Sequence, residues 1–226
     1  MRHALVTGAS SGIGEAIVKR LLTEGWRVTG LSRRPVVLDT ANYTSLRVDI
    51  SDPAALNSAL QTLSPPQAVI HAAGMMAAAP LGHLDSDIGA SLWRLHIQAC
   101  ETLFNHFAPD MEPGGRFVAI GSRTSRGAAG RSQYVATKAA MVGMVRSWAA
   151  ELAPRGITAN VVAPGATQTP MLSAPGRETS PPKYPPIGRL ITPEEVAGLV
   201  NFLLGEEAAA ITGQEIMICG GASLTG

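Results

Sequence analysis

A glycine turn set between a strand and a helix does most to limit what this chain can fold into. Ala4-Leu5-Val6 is a short apolar run with the pattern of a buried strand. TGASSGIG follows at 7–14, and Ile17, Val18, Leu21 and Leu22 then recur at helical spacing. Strand, glycine turn and helix come in the order a dinucleotide site requires. Gly8, Gly12 and Gly14 allow a tight turn and a close approach to a pyrophosphate, and Ser10, Ser11 and Ile13 belong to the same turn. The helix N-terminus then offers unpaired N–H groups and a partial positive charge. The spacing is GxxxGxG rather than GxGxxG, and a purely structural turn is the bland alternative.

A second stretch carries the candidate chemistry. Tyr134 and Lys138 stand at i and i+4 on a segment whose apolar stripe (Met141, Met144, Val145, Trp148, Leu152) predicts a helix. A free tyrosine titrates near pH ~10, and an ammonium one turn away favours its phenolate. That makes Tyr134 a candidate acid/base. Ser122, on the loop upstream, is placed to offer a hydroxyl to the same substrate oxygen. Taken alone, a Tyr–Lys pair on an exposed helix is as well explained by solvation; its company decides.

With 226 residues the chain suffices for one domain with a sizeable core. Its net charge is +1 with 15% charged residues and no block of one sign, which argues against nucleic acid and against a charge-driven membrane surface. Cys100 and Cys219 form no metal or redox spacing; both are expected to be inert thiols. No metal set stands out. No apolar run reaches spanning length and strand-like sequence begins almost at once, so a soluble cytoplasmic protein is expected.

Along the chain, a strand over 26–31 ends in Ser32, Arg33 and Arg34, where dinucleotide folds place an acid for a ribose 2′-hydroxyl or an arginine for a 2′-phosphate. The missing acid favours NADP(H), with NAD(H) as the second choice; two solvated arginines are the alternative. Residues 35–45 are too short for a full crossover helix. A strand is read at 46–48, ending in Asp49-Ile50, and Asp52 caps a helix with Pro53 first. A strand at 68–70 is closed by His71-Ala72-Ala73-Gly74, small enough for close approach of a cofactor. Residues 84–107 read as mostly helical, and the strand 117–120 delivers Ser122 to its carboxyl end, the edge where open α/β sheets bind ligands. After a strand at 157–162 and Pro164-Gly165, residues 166–190 are rich in Pro, Gly and Ser and read as a substrate lid. A helix starting at Thr192-Pro193 and a strand at 215–219 complete the chain, with no repeat and no second domain.

Together these residues resemble the classical short-chain dehydrogenase/reductase family over nearly the whole chain. TGASSGIG is similar to its cofactor turn, Asp49-Ile50 to its adenine contact, and HAAG stands where the family has NNAG. Ser122, Tyr134 and Lys138 match its catalytic residues. Pro164-Gly165 with Thr167 and Thr169 matches the segment that holds the nicotinamide, and TGQEIMICGG the last strand. The resemblance implies a single Rossmann-type α/β domain with a seven-stranded parallel sheet and helices on both faces, in a homotetramer or homodimer. It implies hydride transfer between nicotinamide and an alcohol/carbonyl carbon. Tyr134 is then the proton donor, Lys138 holds the nicotinamide ribose, and Ser122 binds the substrate oxygen.

The chain also departs from the family. Alignment of WRLHIQACETLF puts Gln98 where the family has a catalytic asparagine, and a shift of register offers His96. The Ser-to-Tyr spacing is one residue short, and Ser11 stands where many NADPH-specific relatives are basic. Arg123 and Arg126 are solvated loop charges or contacts for an acidic substrate. The leading expectation is an NADP(H)-preferring reductase or dehydrogenase of small or medium apolar substrates. The rivals are a reductase of 3-oxoacyl chains on a carrier protein and an inactive nucleotide sensor or scaffold.

Overall fold

Seven strands pair in parallel into one sheet in the computed structural model, which describes residues 1–173 and 183–224. They are β1 (His3–Thr7), β2 (Arg27–Ser32), β3 (Tyr43–Arg47), β4 (Ala68–His71), β5 (Arg116–Ile120), β6 (Thr158–Pro164) and β7 (Glu215–Ile218). Their order across the sheet is β3-β2-β1-β4-β5-β6-β7. The winding reverses between β1 and β4, so the chains leaving these strands diverge and open a crevice at the carboxyl edge.

Both faces of the sheet are covered, which is why the central strands read as continuous apolar runs rather than alternating ones. Leu5, Val69, Phe117 and Val161 bury toward one face, against Leu56 and Leu60 of α2 (Pro53–Leu60), Leu103 and Phe107 of α4 (Ala99–Phe107), and Met141 and Val145 of α5 (Ser132–Leu152). Their neighbours Val6, Ile70, Val118 and Val162 bury toward the other. There they meet Ile17 and Leu21 of α1 (Gly12–Thr23) and Val196 and Val200 of α6 (Pro193–Leu204). The helix starts follow from capping. Asp52 accepts from the amides of Ala54 and Ala55, and Thr192 and Glu195 form a reciprocal capping box.

Three expectations change. The third strand runs from Tyr43 rather than from Leu46 and ends at Arg47. It is an edge strand paired only with β2, half-exposed along its length, and its sequence YTSLR lacks the apolar run that marks a central strand. The helix expected over 84–107 is broken: α3 (Ser86–Trp93) passes into a π turn at Arg94–Gln98 before α4 begins. Of the expected lid at 166–190, Thr167 bridges to Ile191 and Pro170–Ser173 forms a short 3₁₀ turn, while residues 174–182 lie outside the described part of the chain.

The two cysteines are unpaired and buried. Burial pushes the Cys100 thiol up to about 12, as an inert core thiol requires. Cys219 differs: burial also raises it, but hydrogen bonds with Ser223 and the backbone of Gly221 and Ala222 leave it below its ordinary value.

Candidate active site

The glycine turn folds as a cradle. Gly8 has φ +69°, and a Cβ there would lie 2.8 Å from the Ala73 Cα; at Gly14 one would collide with the Gly8 carbonyl. Backbone therefore packs directly on backbone at both glycines, and the turn leads into the start of α1, whose first amides have no partner within the helix. Thr7 ties this turn to the HAAG loop. Its hydroxyl oxygen accepts from the amides of Ala72 and Ala73, at 3.1 Å each, so its proton goes to Nδ1 of His71 at 3.0 Å. Burial, with Lys138 second, pushes His71 down to about 3, and the ring is neutral.

β5 and α5 bring the candidate chemical groups together. Ser122 leaves the carboxyl end of β5, almost buried, and caps the short turn Arg123–Arg126, accepting from the Thr124 amide at 3.2 Å. Its hydroxyl also shares a hydrogen bond with that of Thr124 at 2.9 Å. Lys138 lies one helical turn beyond Tyr134, with its Nζ 5.9 Å from the tyrosine ring centroid. The ammonium is 3% exposed and donates to the Ile120 carbonyl at 2.8 Å. Burial pushes the Lys138 pKa down to about 8.

Gln98 does not belong to this site. It is exposed on the outer side of the π turn, and the shifted register gives the residue that faces inward, His96. The extra residue of the π turn rotates the chain so that position 96 faces the crevice and position 98 faces water. His96 Nε2 accepts from the Met75 amide at 3.1 Å, which places the ring proton on Nδ1. Nδ1 then donates to Thr137 Oγ1 at 2.9 Å, and Thr137 donates to the Tyr134 carbonyl at 2.8 Å. The ring also meets that of Tyr134 edge-on, centroids 5.7 Å apart. Burial above all, then Lys138 and His71, hold His96 well below its ordinary pKa, so it is neutral.

Two adjoining cavities form one cleft along the carboxyl edge of the sheet, sharing Gly8, Ser11, Ala73, Gly74 and Met75. The first, about 790 Å³, has Ser10, Ser32, Arg33, Asp49 and Ile50 in its wall. Ser32 donates to the Arg34 carbonyl at 2.5 Å. Hydrogen bonds from Ser51 hold the Asp49 carboxyl below its ordinary pKa. The second, about 530 Å³, gathers Gly12, Ile13, Gly14, Ala72, Ser122, Tyr134, Lys138, Pro164, Gly165, Thr167 and Thr169. All the sequence-predicted site residues except Gln98 thus line the cleft. Glycine cradle, α1 N-terminus and buried lysine fit a nicotinamide dinucleotide.

Sequence reasoning missed two features of the cleft. Arg94, on the π turn, lines the first cavity, while Lys183, in the second, falls within the expected lid. Thr137 is the link between His96 and the Tyr134 backbone. The apolar stripe held a trace of the π turn: steps of four at Leu95, Ala99, Leu103 and Phe107 run ahead of 3.6 residues per turn. Among the described residues no group of three or more His, Cys, Asp or Glu could hold a metal ion, and no helix is long and apolar enough to cross a membrane.

Comparison with known proteins agrees with this geometry. A family model described as Enoyl-(Acyl carrier protein) reductase matches residues 8–223. The 3-oxoacyl-[acyl-carrier-protein] reductase FabG of Escherichia coli (strain K12) is 33% identical, with 96% of each chain covered. MabA of Mycobacterium tuberculosis (strain ATCC 25618 / H37Rv), which bears the same activity name, is 32% identical over 97% of this chain and 92% of its own. Among solved structures, a short chain dehydrogenase family protein from Francisella tularensis superposes with a TM-score of 0.92 over all of both chains, at 23% identity, and shows the fold. BdcA, solved in complex with NADPH, superposes at 0.85 with 33% identity, over 97% of this chain and 93% of its own. The chain is a nicotinamide-dependent oxidoreductase and belongs to the short-chain dehydrogenase/reductase family.

Proposed function

We propose that the enzyme reduces the carbonyl of a small or medium-sized substrate with NADPH, Tyr134 acting as the acid. The observation that carries this reading is the convergence of Ser122, Tyr134 and Lys138 in a cleft continuous with the glycine cradle. A bound nicotinamide supplies the hydride to the carbonyl carbon. Ser122 Oγ, held at the end of β5 by its cap on Thr124, offers a hydrogen bond to the substrate oxygen. The Tyr134 hydroxyl gives its proton to that oxygen. The phenolate left behind is favoured by the Lys138 ammonium, whose effect is strong because the lysine is buried. His96 and Thr137 hold the first turn of α5 against the Met75 loop and keep the tyrosine aimed.

Replacing Tyr134 with Phe keeps the ring and removes the proton. Turnover should fall by ~10²-fold or more, while NADPH still raises the melting temperature. A variant with near-normal turnover would remove Tyr134 from the chemistry.

NADP(H) is the preferred cofactor in this reading, with NAD(H) second. Support comes from Arg33, Arg34 and Arg94 in the wall of the first cavity, and from the NADPH-bound relative BdcA. Two relatives named as 3-oxoacyl-[acyl-carrier-protein] reductases favour a second reading, in which the substrate is a 3-oxoacyl thioester. A panel of ketones, alcohols and acetoacetyl thioesters, followed at the nicotinamide absorbance with each cofactor, separates the two. Half-exposed Ile88, Trp93 and Phe202 support assembly into a homodimer or homotetramer, and two unpaired cysteines suit the cytoplasm.

A further inference from the structure

The turn that begins at Ser122 is small, and most of its bonds are its own. Ser122 Oγ accepts from the Thr124 amide at 3.2 Å. The Ser122 carbonyl accepts from the Ser125 amide at 3.0 Å, and that of Thr124 from the Gly127 amide at 2.9 Å. These bonds fix the shape of the Arg123–Arg126 turn and not its place over the sheet. A single 3₁₀ turn has little stability by itself. Gly127, which follows it at φ +125°, is a joint in the backbone and not a brace. The aim of Ser122 therefore depends on what ties the turn to distant parts of the chain.

Side chains of the turn reach two places beyond it, both far along the chain. Arg123 donates to the Ala222 carbonyl at 3.5 Å, the outer limit of such a bond. Ser125 donates to the Glu215 carboxylate at 2.5 Å, the length of a charge-assisted bond between a hydroxyl and an oxyanion. The other carboxylate oxygen lies 3.8 Å from Nη2 of Arg126. Glu215 opens β7, and its side chain is only 12% exposed. A carboxylate withdrawn this far from water is costly unless hydrogen bonds compensate it. Arg126 compensates little, because it stands at 3.8 Å and is itself exposed. Nor does packing call for an acid at the head of the otherwise apolar strand EIMI. The bond to Ser125 is the contact that an apolar residue at 215 could not make. Neither Glu215 nor Ser125 lines the cleft, so neither touches substrate.

We propose that Glu215 is a positioning residue of the reaction: through Ser125 it anchors the turn that aims Ser122 at the substrate oxygen. The inference rests on the carbonyl-reductase reading, in which Ser122 stabilises the charge developing on that oxygen. Rigid β7 supplies the fixed point, and the carboxylate takes no part in the transfer of hydride or proton. A displacement of about 1 Å at a reacting group costs up to ~10²-fold in rate, so a loosened turn should show in kcat.

A double-mutant cycle tests this, read with NADPH and the fastest-reduced of several carbonyl probes (ethyl acetoacetate, para-nitrobenzaldehyde, acetoacetyl-N-acetylcysteamine). Glu215→Ala should lower kcat by about tenfold or more and keep the NADPH-induced rise in melting temperature. Glu215→Gln, whose amide oxygen still accepts from Ser125, should restore most of the lost turnover. Ser125→Ala cuts the same bond from the side of the turn and should repeat the loss, which decides the matter even where Glu215→Ala does not fold. In a Ser122→Ala background neither change should lower kcat further, because the hydroxyl they aim is gone. Equal losses with and without the Ser122 hydroxyl would show a role in stability alone and overturn the proposal. Normal turnover in both Glu215→Ala and Ser125→Ala would overturn it as well, with the reductase left standing. Full turnover in Ser122→Ala would instead remove the serine from the chemistry and the proposal with it. Absence of turnover with every probe, in enzyme that binds NADPH, would overturn the reductase reading and this role together.

Discussion

His96 is neutral and has both ring nitrogens engaged, so its contribution is to position Tyr134 and not to carry protons. Changing it to Phe keeps a ring but leaves the Met75 amide without its acceptor and the Thr137 hydroxyl with only its bond to the Tyr134 carbonyl. Each buried polar group left unpaired costs about 1–3 kcal/mol, so the melting temperature should fall. Turnover should fall with it, while the pH at which kcat/KM changes stays where it was. A shift of that profile in His96→Asn, which keeps part of the hydrogen bonding, would show that the ring titrates in catalysis. The contrast with Gln98 shows what a sequence gives at this scale. Tyr134, Lys138 and Ser122 were legible because their spacings are fixed by one helix and one strand end. The choice between residues 96 and 98 was not, because both lie within a π turn, where the side chains that face inward depart from an α-helical count.

Among the elements, the carboxyl ends of β2 and β3 decide the cofactor. Arg33 and Arg34 follow β2, Asp49 follows β3, and Arg94 reaches the same cavity from the π turn. The Asp49 carboxylate is held by Ser51, which keeps the one acid of that wall turned to its own loop. NADPH should therefore stabilise the enzyme more than NADH at equal concentration. A tenfold difference in affinity appears as about 1.4 kcal/mol at saturation. Arg33→Ala should close most of the gap and leave NADH binding intact; equal shifts from both cofactors in the unaltered enzyme would show dual specificity. The central strands and the capped helices were readable because burial on two faces and capping leave strong local patterns. β3 was read three residues late because an edge strand exposed to water needs no apolar run. Arg94 escaped notice because its place depends on the break between α3 and α4.

For the whole molecule, the buried His71 and His96 and the half-buried His3 make stability depend on pH in a definite direction. His71 is pushed down to about 3 and His3 to about 4, both chiefly by burial, and His96 lies well below its ordinary value for the same reason. In the unfolded chain each titrates near pH ~6.5. Between that pH and the depressed folded values, the unfolded state binds protons that the folded state refuses. Stability is thus fully present above about pH 6.5 and is lost as the pH falls toward the folded values. For the fully buried His71 the loss at pH 5 relative to pH 8 is about 2 kcal/mol. Urea melts at these two pH values should show a lower midpoint at pH 5. His71→Asn should flatten the difference even if it lowers stability at both, because asparagine fits the same loop without a titrating ring. A variant at His71 that keeps the full slope would mean that the acid sensitivity arises from carboxylates such as Glu195, which Arg189 holds down to about 2.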